Sequence, residues 1–210
     1  MEFLKSNIRI TVAILFTLFI VNTIKAQDNK LLIQAFSESY ALDKKTEHKK
    51  AVEVLKAVYE ENSYELNIRL GWLCYQSGLH TESIGYYNKA IALKPYAIEP
   101  KLGFINPESS LGNWDQVIKK YLEILAIDPQ YTTANYRLAY IYYNKADYND
   151  ALKYFEKVVN LFPFDYDSAI MYAWTNYKLG KLREAKVLFQ KCLMMSPGDS
   201  SALEGLSLIK

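Results

Sequence analysis

The chain has 210 residues, half of them hydrophobic, and carries 25 lysines and arginines against 23 aspartates and glutamates. The hydrophobic share excludes general disorder, and the balanced charge excludes the strongly basic face that nucleic-acid binding requires. Tyrosine is over-represented, with 18 residues against nine phenylalanines and three tryptophans, so we expect it to fill a core or to line a binding surface.

The first 26 residues differ from the rest of the chain. Lys5 and Arg9 precede an apolar run from Ile10 to Ile24, and Ala26 follows it. A positive start, an apolar stretch and a final small residue are typical of a secretory signal. We expect cleavage after Ala26 and an exported, periplasmic protein. The alternative is a retained signal-anchor over 1–26, which alone would bring the chain into contact with a membrane, although the run is shorter than the ~20 residues that span a bilayer.

A period of 34 residues organises the chain from residue 27 to residue 199. Four prolines recur at this spacing, and glycines at positions 78, 112 and 180 keep the same register. Such a period indicates repeated structural units rather than one globular core. We assign four units, 64–97, 98–131, 132–165 and 166–199, preceded by a degenerate unit, 30–63. Cys74 and Cys192 lie three units apart, too far for a disulfide, so we expect two buried thiols.

The degenerate unit departs from the period at its turn, which we expect to be lengthened between Asp43 and His48. Unit 98–131 departs from it in its first helix, which contains Gly103 and Pro107. Proline lacks an amide donor and clashes with the carbonyl four residues earlier. We therefore expect a kink or break near Asn106 and, as a hypothesis, a polar notch there.

Unit 132–165 shows most clearly how each unit folds. Apolar and small residues at i, i+3, i+4 and i+7 give one stripe through Leu138 and Ala139 and a second through Ala151 and Phe155. Two antiparallel helices are predicted. Ala146 stands at their joint, where the sister units have a glycine suited to a left-handed residue.

A final helix is predicted over 200–210. Ser201 and Glu204 have the spacing of a capping box, and the apolar residues that follow Ser201 share one face. We expect this helix to cap the open end of the last unit, as repeat arrays require.

The repeated residues resemble the tetratricopeptide repeat (TPR), a helix-turn-helix unit of 34 residues. The matching positions are Leu70-Gly71, Ser83, Tyr87, Ala90 and Pro95 in one unit and Leu138-Ala139, Tyr142, Ala151, Phe155 and Pro163 in another. The resemblance implies an all-α, right-handed α-solenoid of about five such units plus the capping helix, in an exported bacterial protein of this family. Members that clamp a terminal carboxylate do so with a fixed set of lysine, arginine and asparagine residues. Only Arg69, Arg137 and Asn106 stand at those positions here, which disfavours a chaperone-tail adaptor.

Catalytic and metal-binding sets are missing from the sequence. Its two histidines, His48 and His80, are isolated, and no phosphate-binding glycine motif is present. We therefore predict no enzyme activity, no cofactor and no metal site.

A binding surface is better supported. In units 64–97, 132–165 and 166–199 the first-helix positions that point away from the second helix carry aromatic residues. Aromatic clusters on a surface are typical of interaction sites. Packing between neighbouring units is the alternative role for the same rings. The predicted ligand-binding residues on this concave face are Arg69, Trp72, Tyr75, Asn106, Tyr136, Arg137, Tyr140, Tyr143, Trp174 and Tyr177.

These residues favour a non-catalytic scaffold of the cell envelope that binds a protein or peptide partner. A glycan-binding or cell-wall-binding module is one alternative, because planar aromatic rings also stack on sugars. A structural assembly subunit that uses its ends or its convex face is another.

Overall fold

A computed structural model describes residues 29–209, and within that range every regular element is an α-helix. The predicted signal segment, 1–26, lies outside the described residues. The chain divides into two compact units, which are larger than the 34-residue repeat units and are called the first unit and the second unit. The first unit ends at Pro95 and the second begins at Tyr96. The first unit contains α1 (29–43), α2 (His48–Lys56), α3 (Tyr64–Gln76) and α4 (His80–Leu93). The second contains α5 (Glu99–Ser110), α6 (Trp114–Ile127), α7 (Thr132–Asn144), α8 (Tyr148–Leu161), α9 (Tyr166–Lys178), α10 (Leu182–Met195) and α11 (Ser200–Leu208).

In the first unit, small residues let α3 and α4 approach closely. A Cβ atom added to Gly71 would lie 2.9 Å from the ring of Tyr87, so a larger residue there would force that ring to shift. The hydroxyl of Ser83 donates a hydrogen bond to the carbonyl of Gly71 at 2.7 Å. Leu70 and Cys74, on the same face of α3, are fully buried.

The pair α7 and α8 repeats this arrangement in the second unit. Leu138, Ala139, Ala151 and Phe155 are fully buried, which confirms the two stripes predicted for these helices. Both cysteines are free and buried, and burial raises the pKa of the Cys74 thiol and of the Cys192 thiol to about 11.

The turns within helix pairs use one left-handed residue each. Gly78, Gly112 and Gly180 have φ angles of 76°, 76° and 73°, and Ala146 takes the same role with φ 60°. The residue after each of them donates a hydrogen bond to a carbonyl five positions earlier, as Asp147 does to Tyr142 at 2.9 Å. Between α1 and α2 the connection is 44–47, one residue longer than the others, so the predicted lengthening is present.

Of the kink or break predicted near Asn106, the break does not occur. Helix α5 runs without interruption from Glu99 to Ser110, and the polar notch that depended on a break is not formed. Pro107 opens the last turn of the helix, so its ring costs only the one bond to the Gly103 carbonyl. Its ring is also buried, and apolar contact offsets that loss.

The last helix, α11, is capped differently from the prediction. The Asp199 carboxylate, not the Ser201 hydroxyl, accepts the hydrogen bond from the Ala202 amide, at 2.8 Å. Ser201 instead accepts a hydrogen bond from the Trp174 indole at 2.8 Å, which ties α11 to α9. Gly205 lies so close to Phe189 that an added Cβ would come within 2.3 Å of the ring.

Candidate functional site

Arg69 is buried in the first unit and does not face a ligand. Its Nη1 donates to Asp43 Oδ2 at 2.9 Å, its Nη2 donates to the Ser39 carbonyl at 3.1 Å, and its guanidinium lies 3.9 Å from the centroid of the Tyr40 ring. Only 7% of the residue is exposed. This corrects the expectation that Arg69 orients a partner, since its donors are used to hold α3 against α1.

Trp72 and Tyr75 form a small aromatic surface on α3. Their ring centroids are 6.3 Å apart, and the Tyr75 ring lies 5.8 Å from the imidazole of His80. Trp72 is 39% exposed, whereas Tyr75 is half-buried. Trp72 is therefore the ring through which this surface can meet a partner.

A cavity of the second unit lies between the turn that joins α5 to α6 and the C-terminal half of α7. It has a volume of about 1050 Å³. Of the predicted residues, only Tyr140 lines it, and Tyr140 is 43% exposed. Asn106 is exposed on α5 but does not line the cavity. The lining residues are Glu108, Gly112, Asn113, Trp114, Asp115, Gln116, Tyr140, Ile141, Asn144 and Lys145.

The polar groups of this cavity include one buried carboxylate. Glu108 is 6% exposed, and its Oε2 accepts a hydrogen bond from the side-chain amide of Asn113 at 2.7 Å. The Asn113 backbone amide also donates to the Glu108 carbonyl at 3.0 Å, which fixes the two residues together. Asp115 is paired with Lys145 at 3.6 Å. Because that pair is neutral, the cavity carries the negative charge of Glu108.

A second, smaller opening of about 380 Å³ lies one helical turn earlier on α7. It is lined in part by Tyr136 and Arg137 and by Asp165 and Asp167 at the start of α9. Burial, with Asp167 nearby, raises the pKa of the Tyr136 hydroxyl. Arg137 is exposed, so this opening offers a cation and an aromatic edge to a partner.

The remaining predicted residues pack against other rings of the second unit. The Tyr143 ring lies 5.4 Å from Tyr148, and the Tyr177 ring lies 5.6 Å from Trp174. Trp174 also contacts Phe189 at 4.9 Å and hydrogen-bonds to α11. Trp174 was expected to stack on a ligand, but its ring instead holds three helices together, and none of these three residues lines either opening.

The sequence reasoning missed Glu108, Asn113 and Trp114. A signal for Trp114 exists in the 34-residue register. Its equivalents His80 and Tyr148 each pack against a tyrosine at the end of the preceding helix. In unit 98–131 that tyrosine is replaced by Ser109, and Trp114 makes no ring contact with any described residue and is 50% exposed.

The part of the chain from 29 to 209 contains no group of three or more histidine, cysteine, aspartate or glutamate side chains placed to hold a metal ion. None of its helices combines the length and the apolar composition needed to cross a bilayer.

Comparison with known proteins finds tetratricopeptide repeats in this chain. Tetratricopeptide repeat families match residues 37–98, 132–165 and 166–199. The TPR repeat-containing protein YpiA of Bacillus subtilis is 28% identical in an alignment 163 positions long, which covers 75% of this chain and 38% of that protein. A TPR repeat-containing protein of Methanocaldococcus jannaschii is 28% identical in an alignment 209 positions long, which covers 90% of this chain and 35% of that protein. The chain thus spans little more than a third of the length of these relatives.

Solved structures show the same fold. A tetratricopeptide repeat protein from Parabacteroides merdae superposes with a TM-score of 0.72 at 20% identity, over 85% of this chain and 72% of that one. MamA from Desulfovibrio magneticus superposes with a TM-score of 0.67 at 16% identity, over 81% of this chain and 97% of that one. The helical pairs of this chain are therefore those of a TPR solenoid.

Proposed function

We propose, on the premise that this chain belongs to the tetratricopeptide repeat family, that it is a non-catalytic scaffold of the cell envelope that binds an extended segment of a partner protein. Proteins of this family are in general interaction scaffolds without catalytic activity. The partner segment would bind on the second unit, along α7.

The cavity beside Tyr140 carries this proposal. Exposed aromatic rings contribute most of the binding energy in many protein interfaces, and Tyr140 offers such a ring at the edge of a cavity of about 1050 Å³. Tyr136 and Arg137 line a second opening on the same helix. One extended segment that follows α7 could therefore place successive side chains in two openings.

The cell-envelope setting is part of the proposal and depends on the first 26 residues. Lys5, Arg9, the apolar run and Ala26 have the order of a secretory signal. An exported chain would meet its partner outside the cytoplasm.

Selection of peptides tests the binding surface. The full chain would be immobilised and exposed to a displayed library of random extended peptides. We expect selected peptides to bind Tyr140→Ala at least tenfold more weakly, since the substitution removes the ring that faces the cavity. Tyr96→Ala is the matched control, because Tyr96 is 85% exposed and lines neither opening. Peptides that bind both variants alike would place the binding surface elsewhere.

A glycan-binding module is the second candidate function. Side-chain amides from Asn113, Gln116 and Asn144 line the cavity beside its rings, and such amides can hydrogen-bond sugar hydroxyls. Retention of the chain on insoluble cell-wall glycan, and its loss in Tyr140→Ala, would favour this candidate over peptide binding.

A further inference from the structure

The cavity between the α5–α6 turn and α7 has two aromatic walls. Trp114 is 50% exposed and Tyr140 is 43% exposed. The repeat register explains why Trp114 is open, because Ser109 replaces the tyrosine that covers its equivalents. A tryptophan face that no other ring covers is the strongest aromatic binding surface for a cation.

The same cavity is lined by a buried carboxylate without a cationic partner. Glu108 accepts one hydrogen bond from Asn113, and the ion pairs described within the second unit, Lys120–Glu123 and Lys145–Asp115, do not include it. Asp115, by contrast, is paired with Lys145 and leaves no excess charge. A carboxylate that is removed from water without a counter-charge is costly, so a cation that enters the cavity gains more from Glu108 than from an exposed carboxylate.

We propose that this cavity binds a basic side chain, an arginine above all, of the partner segment. The inference rests on the proposed function and names the chemistry of the partner. A planar guanidinium stacks on Trp114 or Tyr140 while its N–H groups bind the free oxygen of Glu108. A neutral sugar would leave the charge of Glu108 uncompensated, which is why the observations favour a basic peptide over a glycan.

Indole NMR on the full chain tests the inference directly. The chain has three tryptophans, so 15N labelling of the indoles gives three signals, from Trp72, Trp114 and Trp174. The probes are N-acetyl-arginine methylamide and N-acetyl-citrulline methylamide, which have nearly the same shape but differ in charge. We expect the arginine probe to shift the Trp114 signal in a saturable way and the citrulline probe to bind at least tenfold more weakly.

The other two indoles are internal controls. Trp72 is exposed beside Tyr75 but lines no cavity with a buried carboxylate, and the Trp174 indole is bound to Ser201. Both signals should stay in place. An equal response of Trp72 would show cation binding to any open ring and would overturn the role given to Glu108.

Two variants separate the carboxylate from the rest of the cavity. Glu108→Gln keeps an acceptor for Asn113 and should abolish the preference for arginine over citrulline. Glu156→Gln makes the same change at an exposed glutamate of α8 that lines neither opening, and should retain that preference. A displaced Trp174 signal would show that Glu108→Gln fails to fold. In that case the comparison of the arginine and citrulline probes on the unaltered chain tests the inference.

The outcomes also distinguish this inference from the proposed function. Selected peptides that depend on Tyr140 but show no preference for arginine would overturn the inference alone. An arginine response at Trp114 in a chain that selects no peptide would overturn the proposed function alone. A shift of Trp114 by chitotriose but not by the arginine probe would overturn both in favour of a glycan.

Discussion

Ala146 occupies a backbone conformation that suits glycine. Its φ of 60° lies in the left-handed region, which costs a residue with a Cβ about 1–2 kcal/mol. We predict that Ala146→Gly stabilises the chain by about 1 kcal/mol, because relief of this strain exceeds the extra flexibility that glycine adds to the unfolded state. The midpoint of urea unfolding should rise while the denaturant slope stays constant.

Gly180→Ala is the reciprocal control. Gly180 has φ 73°, and an added Cβ would meet no atom within 4 Å, so only the backbone conformation opposes alanine there. It should destabilise the chain by about 1 kcal/mol. If Ala146→Gly lowers the midpoint, the turn does not hold strain at Ala146.

Side-chain partners were harder to predict at this scale than backbone conformation. The glycine register predicted the left-handed turn residues, since a turn is local and its geometry depends on a few neighbouring residues. Arg69 was assigned to a ligand because periodicity gives the direction of a Cα–Cβ bond, not where a long side chain ends. Its true partners, Ser39 and Asp43, lie in the degenerate unit, where the period is weakest.

Helix α11 depends on the charge of one carboxylate at its start. A hydrogen bond from the Tyr166 hydroxyl, followed by bonds from the amides of Ala202 and Ser201, lowers the pKa of Asp199. A carboxyl group whose pKa is lowered in the folded state stabilises the folded chain fully at pH values above its unfolded-state pKa of about 3.9. This stabilisation is lost as the pH falls through the folded-state pKa.

We predict that Asp199→Ala lowers the stability of the chain by about 1 kcal/mol at pH 7, since it removes the cap of α11. The difference from the unaltered chain should shrink as the pH falls below about 4 and should be smallest below the lowered folded-state pKa, where Asp199 is protonated in both states. Unfolding should be followed through the fluorescence of Trp174, whose indole is bound to α11. Asp199→Asn can still cap the helix, so it should keep most of the stability at pH 7 but lose the acid dependence. A difference that stays constant from pH 2 to pH 7 would contradict the role of the charge.

At the scale of whole elements, the sequence predicted which segments are helices better than how they begin or bend. The 34-residue period repeats the same apolar stripes, and each stripe must be buried against its neighbour. The break expected at Pro107 did not occur because the proline stands in the last turn, where few bonds depend on it. The expected cap at Ser201 failed because Trp174, distant in sequence, recruits that hydroxyl.

For the whole molecule, the site was only partly predictable. Tyr140 was predicted as a candidate binding residue because the 3.6-residue period of a helix places it on the face that points away from the second helix of its repeat. The cavity it lines depends on the space between the α5–α6 turn and α7, and no periodicity in one helix encodes that space. Glu108 was missed because a glutamate near the end of a helix is usually solvated, and its burial is visible only once α5, α6 and α7 are packed.

Cleavage of the predicted signal would change the charge of the whole molecule, and this is the basis of the last prediction. The segment Met1–Ala26 holds three basic residues and one acidic residue, so its removal lowers the formal net charge from +2 to zero. In a bacterial host with two membranes, we expect the chain recovered from the periplasm to begin at Gln27 by mass spectrometry, with a lowered isoelectric point. Ala26→Leu should block cleavage, because signal cleavage requires a small residue there. Ala41→Leu makes the same change at an exposed position of α1 and should leave cleavage intact. An uncleaved chain found only in the membrane fraction would instead establish the retained anchor, and the binding surface would then act beside a membrane.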